Sequence, residues 1–70
     1  MVRYLIVIEK TERNYSAYCP DLPGCAATGA THEEVLDNMQ EAIHMHLAGL
    51  HEDHLPIPEP QTSAEYLAVS

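Results

Sequence analysis

Three kinds of side chain in this sequence could do chemistry: five histidines, two cysteines and eleven carboxylates. The histidines are densest around residues 44 to 54. His44 and His51 share one face if the segment is helical, and His51 and His54 bracket Glu52 and Asp53. Imidazoles and carboxylates this close could hold a divalent metal. The spacing is not the His-Glu-x-x-His of zinc peptidases, and histidine near a helix C-terminus is favoured by the helix dipole without any metal. No metal ligand and no cofactor is therefore assigned, and a metal on His44, His51 and His54 stays as the alternative. Cys19 and Cys25 have five residues between them, which matches neither a redox Cys-x-x-Cys nor a zinc knuckle. Reduced, buried thiols are expected, with pairing across neighbouring strands as the alternative. No base can be placed beside either thiol, so neither is assigned as a nucleophile.

Composition narrows the partners. Three basic residues face eleven acidic ones, a net charge of -8. Such a surface repels phosphate, so direct nucleic-acid binding is not expected, and a basic protein or a cation is the natural partner. The N-terminal residues lack a signal-peptide layout, and no apolar run approaches the roughly 20 residues of a membrane span. No membrane association and a cytoplasmic location are expected. At 70 residues and 46% apolar, the chain is read as a single domain over 1–70. A domain this small gains from a staple, and oligomerisation is one candidate.

The elements that must position these groups are legible in order. Residues 2–9 read as a strand rich in β-formers, 10–14 as a polar turn, and 15–19 as a second strand ended by Pro20. Pro20-Asp21-Leu22-Pro23-Gly24 is turn chemistry, followed by a short strand over 25–29. Thr31 and Glu34 are spaced as a capping box, and Leu36, Met39, Ile43, Leu47 and Leu50 form an apolar stripe widened by Val35, Ala42 and His46. A helix from 32 to about 51 follows. Pro56, Pro58 and Pro60 force an extended return strap, and residues 64–69 read as a last strand. The expected fold is α+β, β-β-β-α-β, with a four-stranded mixed sheet in the order 3-2-1-4 and one long helix on one face. Tyr4, Ile6 and Ile8 should face that helix, and Arg3, Leu5, Val7 and Glu9 the other side. Whether Ser16 and Tyr18 join that second side depends on a one-residue register choice.

The strand Tyr4–Glu9, the run from Tyr15 through Pro20-Asp21-Leu22-Pro23-Gly24-Cys25, then Gly29-Ala30-Thr31 with Glu34, and the late Pro56-x-Pro58 together resemble the HicB-like antitoxin domain over about residues 2–69. The resemblance implies a partial ribonuclease-H-like fold. It also implies a partner: a HicA-like toxin, a small basic ribonuclease that cleaves messenger RNA and that the antitoxin covers. Many family members continue into a DNA-binding domain, and this sequence carries none through Ser70. Two-metal nuclease chemistry needs converging carboxylates about 4 Å apart across two ions. Here the first strand offers apolar residues, Glu9 lies at its end, Glu41 falls on the solvent side of the helix and Glu65 opens the last strand. The chain is not expected to be an enzyme.

Two surfaces follow. Asp21, Glu33, Glu34, Asp37 and Glu41 are the candidate residues for contacting a basic partner. Leu5, Val7, Tyr18 and Met45 are candidates for a homo-oligomer interface, because one helix cannot cover both faces of the sheet. A solitary homo-oligomer with a different binding role is the alternative function.

Overall fold

The computed structural model describes residues 2–70. Three strands, β1 Val7–Lys10, β2 Tyr15–Tyr18 and β3 Ala26–Gly29, precede one helix, α1 His32–Glu52. Both strand pairs are antiparallel, in the order β1-β2-β3. Val7 pairs with Tyr18 and Ile8 with Ala17, so Ser16 and Tyr18 share the outer face with Leu5 and Val7. Ala17, Cys19, Leu22, Cys25, Val35 and Met39 form the core, with Tyr4, Ile6, Ile8 and Tyr15 packed against it.

The loop between β2 and β3 is built from two turns. The Leu22 amide donates to the Cys19 carbonyl and the Cys25 amide to the Leu22 carbonyl. In the second turn Pro23 holds the first corner, and Gly24 takes the second with φ at 84°, as a type II turn requires. The reversal drives Leu22 completely into the core. It also ends the β1–β2 ladder at Val7–Tyr18, because β2 turns away at Cys19-Pro20 and leaves residues 2–6 extended without a ladder partner.

Helix α1 begins as its sequence dictates. Thr31 is extended and its Oγ1 accepts from the Glu34 amide at 3.0 Å. The Glu34 carboxylate reaches back one residue further than a standard capping box, accepting from the Ala30 amide at 3.2 Å. The other end is a Schellman closure: His54 N donates to His51 O and Leu55 N to Leu50 O, with His54 at φ 58° in the left-handed position. His54 therefore has a backbone task where glycine is usual.

The centre of the buried helix face lies at Val35 and Met39, which are fully buried, whereas Leu36 is 39% exposed. The expected stripe is thus rotated toward Val35. Gly29 sets this geometry, since a Cβ there would lie 2.5 Å from the Val35 amide nitrogen. With β3 and the helix that close, Val35 points into the core and Leu36 outward. Asn38 Nδ2 donates to the Thr28 carbonyl at 2.8 Å and fixes the same contact.

The expected fourth strand is not there. The sheet has three strands rather than four in the order 3-2-1-4, and the architecture is β-β-β-α with no parallel pair. Residues 62–64 come level with Arg3–Leu5, but the two segments frame an open cavity of about 410 Å³ instead of a ladder. Two clips hold the strap on that path. Tyr4 Oη donates to the Pro58 carbonyl, and Asp21 accepts from the amides of Gln61 and Thr62. Beyond the clips, Tyr66, Leu67 and Val69 are exposed.

Two substitutions test this account. Gly29→Ala should lower stability by about 2 kcal/mol, because backbone rather than a flexible side chain must give way. His54→Gly should raise stability by up to about 1 kcal/mol by relieving the left-handed residue. Urea denaturation midpoints measure both, and a neutral Gly29→Ala would contradict the close approach.

Candidate functional site

The exposed face of α1 carries a row of carboxylates. Glu33, Asp37 and Glu41 recur every four residues, so they form one shallow stripe along the helix, and all three are exposed. Glu33 and Glu34 also sit in the first turn, where the helix dipole favours negative charge. Glu34 stands beside the stripe, but its carboxylate is engaged by the Ala30 amide.

Asp21 lies elsewhere. Its carboxylate is the inner half of the tail clip: Oδ2 accepts from the Gln61 and Thr62 amides, each at 3.1 Å, and Oδ1 accepts from Thr62 Oγ1 at 2.9 Å. These bonds, those from Thr62 first, hold the Asp21 carboxyl below its ordinary range. Tyr4, at the neighbouring clip, has its phenol pushed up, first by desolvation and then by the neighbouring Cys19 and Asp21. Of the five candidate partner residues, the structure aligns Glu33, Asp37 and Glu41 in the open, commits Glu34 to the cap, and commits Asp21 to the tail.

The four candidate oligomer residues do not form one surface. Leu5, Val7 and Tyr18 share the outer sheet face, where Leu5 and Val7 are half-buried and Tyr18 is 46% exposed. Met45 projects from the helix, in the layer on the other side of the sheet, and is 70% exposed.

Cys19 and Cys25 are free and buried, and the Cys19 amide donates to the Cys25 carbonyl at 3.1 Å. Burial, reinforced by the neighbouring Cys19, pushes the Cys25 thiol up, away from the reactive thiolate. Among the described residues, no three His, Cys, Asp or Glu side chains gather as a metal-ligand set, so His44, His51 and His54 do not converge. No helix among the described residues is long and apolar enough to cross a membrane.

The tail clips were not foreseen from sequence. Their partners lie 40, 41 and 54 residues apart. The one local hint was an aspartate in a turn that closes through backbone bonds alone and leaves its carboxylate unused.

Comparison with known proteins places these features in a family context. Residues 4–69 match the model of the HicB-like antitoxins of bacterial toxin–antitoxin systems. A UPF0150 protein of Synechocystis is 34% identical over 67 residues, covering 94% of this chain and 85% of the relative. A UPF0150 protein of Thermoplasma acidophilum is 35% identical over 69 residues, covering 97% of each. The solved structure of a HicA3 and HicB3 toxin–antitoxin complex contains a chain that superposes with a TM-score of 0.72 at 33% identity. That match covers 86% of this chain and 70% of the other.

The clip has a sign in pH. A carboxyl whose folded pKa is depressed stabilises the fold above its unfolded value, here 3.8, and that contribution is lost as pH falls through the lower folded value. Amide exchange at Gln61 and Thr62 should therefore stay slow at neutral pH and lose its protection in acid below that point. Asp21→Ala should speed exchange at those two amides by roughly tenfold or more at neutral pH, leaving the Cys25 amide unchanged. NMR-detected hydrogen exchange reads both, and unchanged Thr62 protection in Asp21→Ala would refute the clip.

Proposed function

This chain belongs to the HicB-like antitoxin family of bacterial toxin–antitoxin systems, and we propose that it is the antitoxin of such a pair, a non-catalytic module that binds and blocks a small basic HicA-like toxin. The observation that carries this reading is the match to that family over residues 4–69, with the likeness to a chain of a HicA3–HicB3 complex behind it.

The physical basis is charge and shape. A toxin that cleaves messenger RNA must present basic groups to phosphate. A protein of net charge -8 competes for the same groups. The exposed stripe Glu33, Asp37 and Glu41 steers the encounter, because it lies on a rigid helix with its carboxylates in solvent. Glu34 and Asp21 act indirectly, by holding the helix start and the tail in place. Inhibition is steric: the bound module denies RNA access and performs no reaction of its own. The same acidic surface keeps the lone chain off nucleic acid. Since the toxin acts on messenger RNA, the pair works in the cytoplasm.

The test uses a HicA-like toxin co-expressed with this chain. Wild-type chain should restore growth and co-purify with the toxin. The triple variant Glu33→Lys, Asp37→Lys and Glu41→Lys should retain its circular dichroism spectrum, since all three side chains are exposed. Its association rate should fall roughly 10- to 100-fold at low salt, with a flatter salt dependence. A toxin that neither co-purifies nor is neutralised removes the antitoxin reading. Binding unaffected by the triple variant moves the contact off this helix face.

A further inference from the structure

Cys19 and Cys25 contribute no side-chain bond to the tail clips and stand apart from the acidic helix face, yet the second hairpin sets them face to face. In the β2–β3 ladder Ala17 pairs with Ala27 and Tyr18 with Ala26. One step further along the same register, Cys19 falls opposite Cys25. The bond from the Cys19 amide to the Cys25 carbonyl, at 3.1 Å, carries the ladder on to this pair. Opposed residues of an antiparallel pair point to one face, and at a hydrogen-bonded position their Cα atoms stand about 5.5 Å apart. That spacing is within the roughly 4.4–6.8 Å that a disulfide spans. Both side chains enter the same core, at 2% and 5% exposure. The second bond of the pair is missing, because the Cys25 amide turns to the Leu22 carbonyl instead. The pair is therefore free to close further than a mid-ladder position. Closing it would make a ring of residues 19–25, with Asp21 and Leu22 inside.

We propose that Cys19 and Cys25 are a reversible redox site, which a low-molecular-weight disulfide converts to an intramolecular disulfide across the base of the β2–β3 loop. The Cys19 thiol gives its proton to solvent, and its thiolate attacks one sulfur of the small disulfide. The S–S bond of the oxidant breaks, and its other half leaves as a thiolate that takes up a proton. The Cys25 thiol then loses its proton and displaces the remaining half from Cys19. Two thiols of the chain are oxidised, one small disulfide is reduced to two thiols, and the two protons lost by the chain match the two taken up. Two features make the site a switch and not a permanent staple. A hydrogen-bonded ladder position holds the Cβ atoms wider apart than a relaxed disulfide does, so the bond forms under strain and is easily reduced. Both sulfurs are buried, so exchange waits on opening of a loop closed by two backbone bonds, Leu22 to Cys19 and Cys25 to Leu22. The consequence reaches the tail. Asp21 accepts from the Gln61 and Thr62 amides, so the strap and the exposed arm beyond it, residues 63–70, hang from this loop. In the oxidised chain they hang from a covalent ring. The exchange occurs within one copy and needs no toxin, so it stands apart from the antitoxin reading.

Equilibration of the full chain in buffers of glutathione and glutathione disulfide tests the proposal, with acid quenching, alkylation and intact mass as the readout. The chain has two cysteines, so a single-chain species two hydrogens lighter and closed to alkylation identifies the Cys19–Cys25 bond. It should form in the folded chain and return to the dithiol when reduced glutathione is added. In denaturing urea, where the hairpin no longer holds the thiols opposite each other, the disulfide-to-dithiol ratio at the same buffer should fall roughly tenfold. Amide exchange at Leu22, inside the ring, should slow at least about threefold on oxidation, with the circular dichroism spectrum unchanged. A folded chain that stays a dithiol or stops at a mixed glutathione disulfide overturns the proposal. So does pairing no easier folded than in urea, or Leu22 exchange indifferent to oxidation.

Discussion

β3 and α1 touch backbone to backbone where Gly29 meets Val35, and no side chain fits between them. That contact fixes where the helix starts relative to the sheet. Thr31 then caps it, Asn38 ties it to Thr28, and Val35 and Met39 fill the space over Ala17, Cys19 and Leu22. Because the anchor is at the first turn, the helix grows away from the sheet. Its acidic face is held rigidly by the best-packed part of the molecule, and its far half is left with apolar surface that the body does not cover. The acidic face and the less covered apolar half of the helix thus descend from one steric constraint.

Local chemistry was readable in the sequence. The Thr31–Glu34 spacing marks the helix start, Pro23-Gly24 marks a turn that needs a positive φ, and the apolar positions of the first strand identify the face that meets the helix. The register of the hairpin was not readable, because alternation allows two choices one residue apart. Pairing of Val7 with Tyr18 selects one of them. Leu36 misled for a related reason: a stripe of leucines defines a face only to within one residue's rotation, and Gly29 supplies the rest.

The fourth strand failed at a different level. Ala64 to Val69 have the composition of a strand, but a strand is completed by its neighbour, and neighbours are decided by tertiary contacts. Here those contacts are Tyr4 with Pro58 and Asp21 with Thr62, side-chain bonds across more than half of the sequence. The same distance hid the role of Asp21, which stood out as an acidic turn residue. The charge that marked it as a surface contact is satisfied within its own chain.

The two clips also order events in time. β1, β2, β3 and α1 are consecutive, joined by short turns, so the core closes through contacts near in sequence. The Asp21–Thr62 and Tyr4–Pro58 bonds each close a loop of more than 40 residues, which costs entropy until the core has brought the ends together. The strap and arm therefore form a late, separable unit that opens locally without unfolding the rest. The arm can thus be unclipped while the core stays complete, and any competitor for the arm acts on that open state.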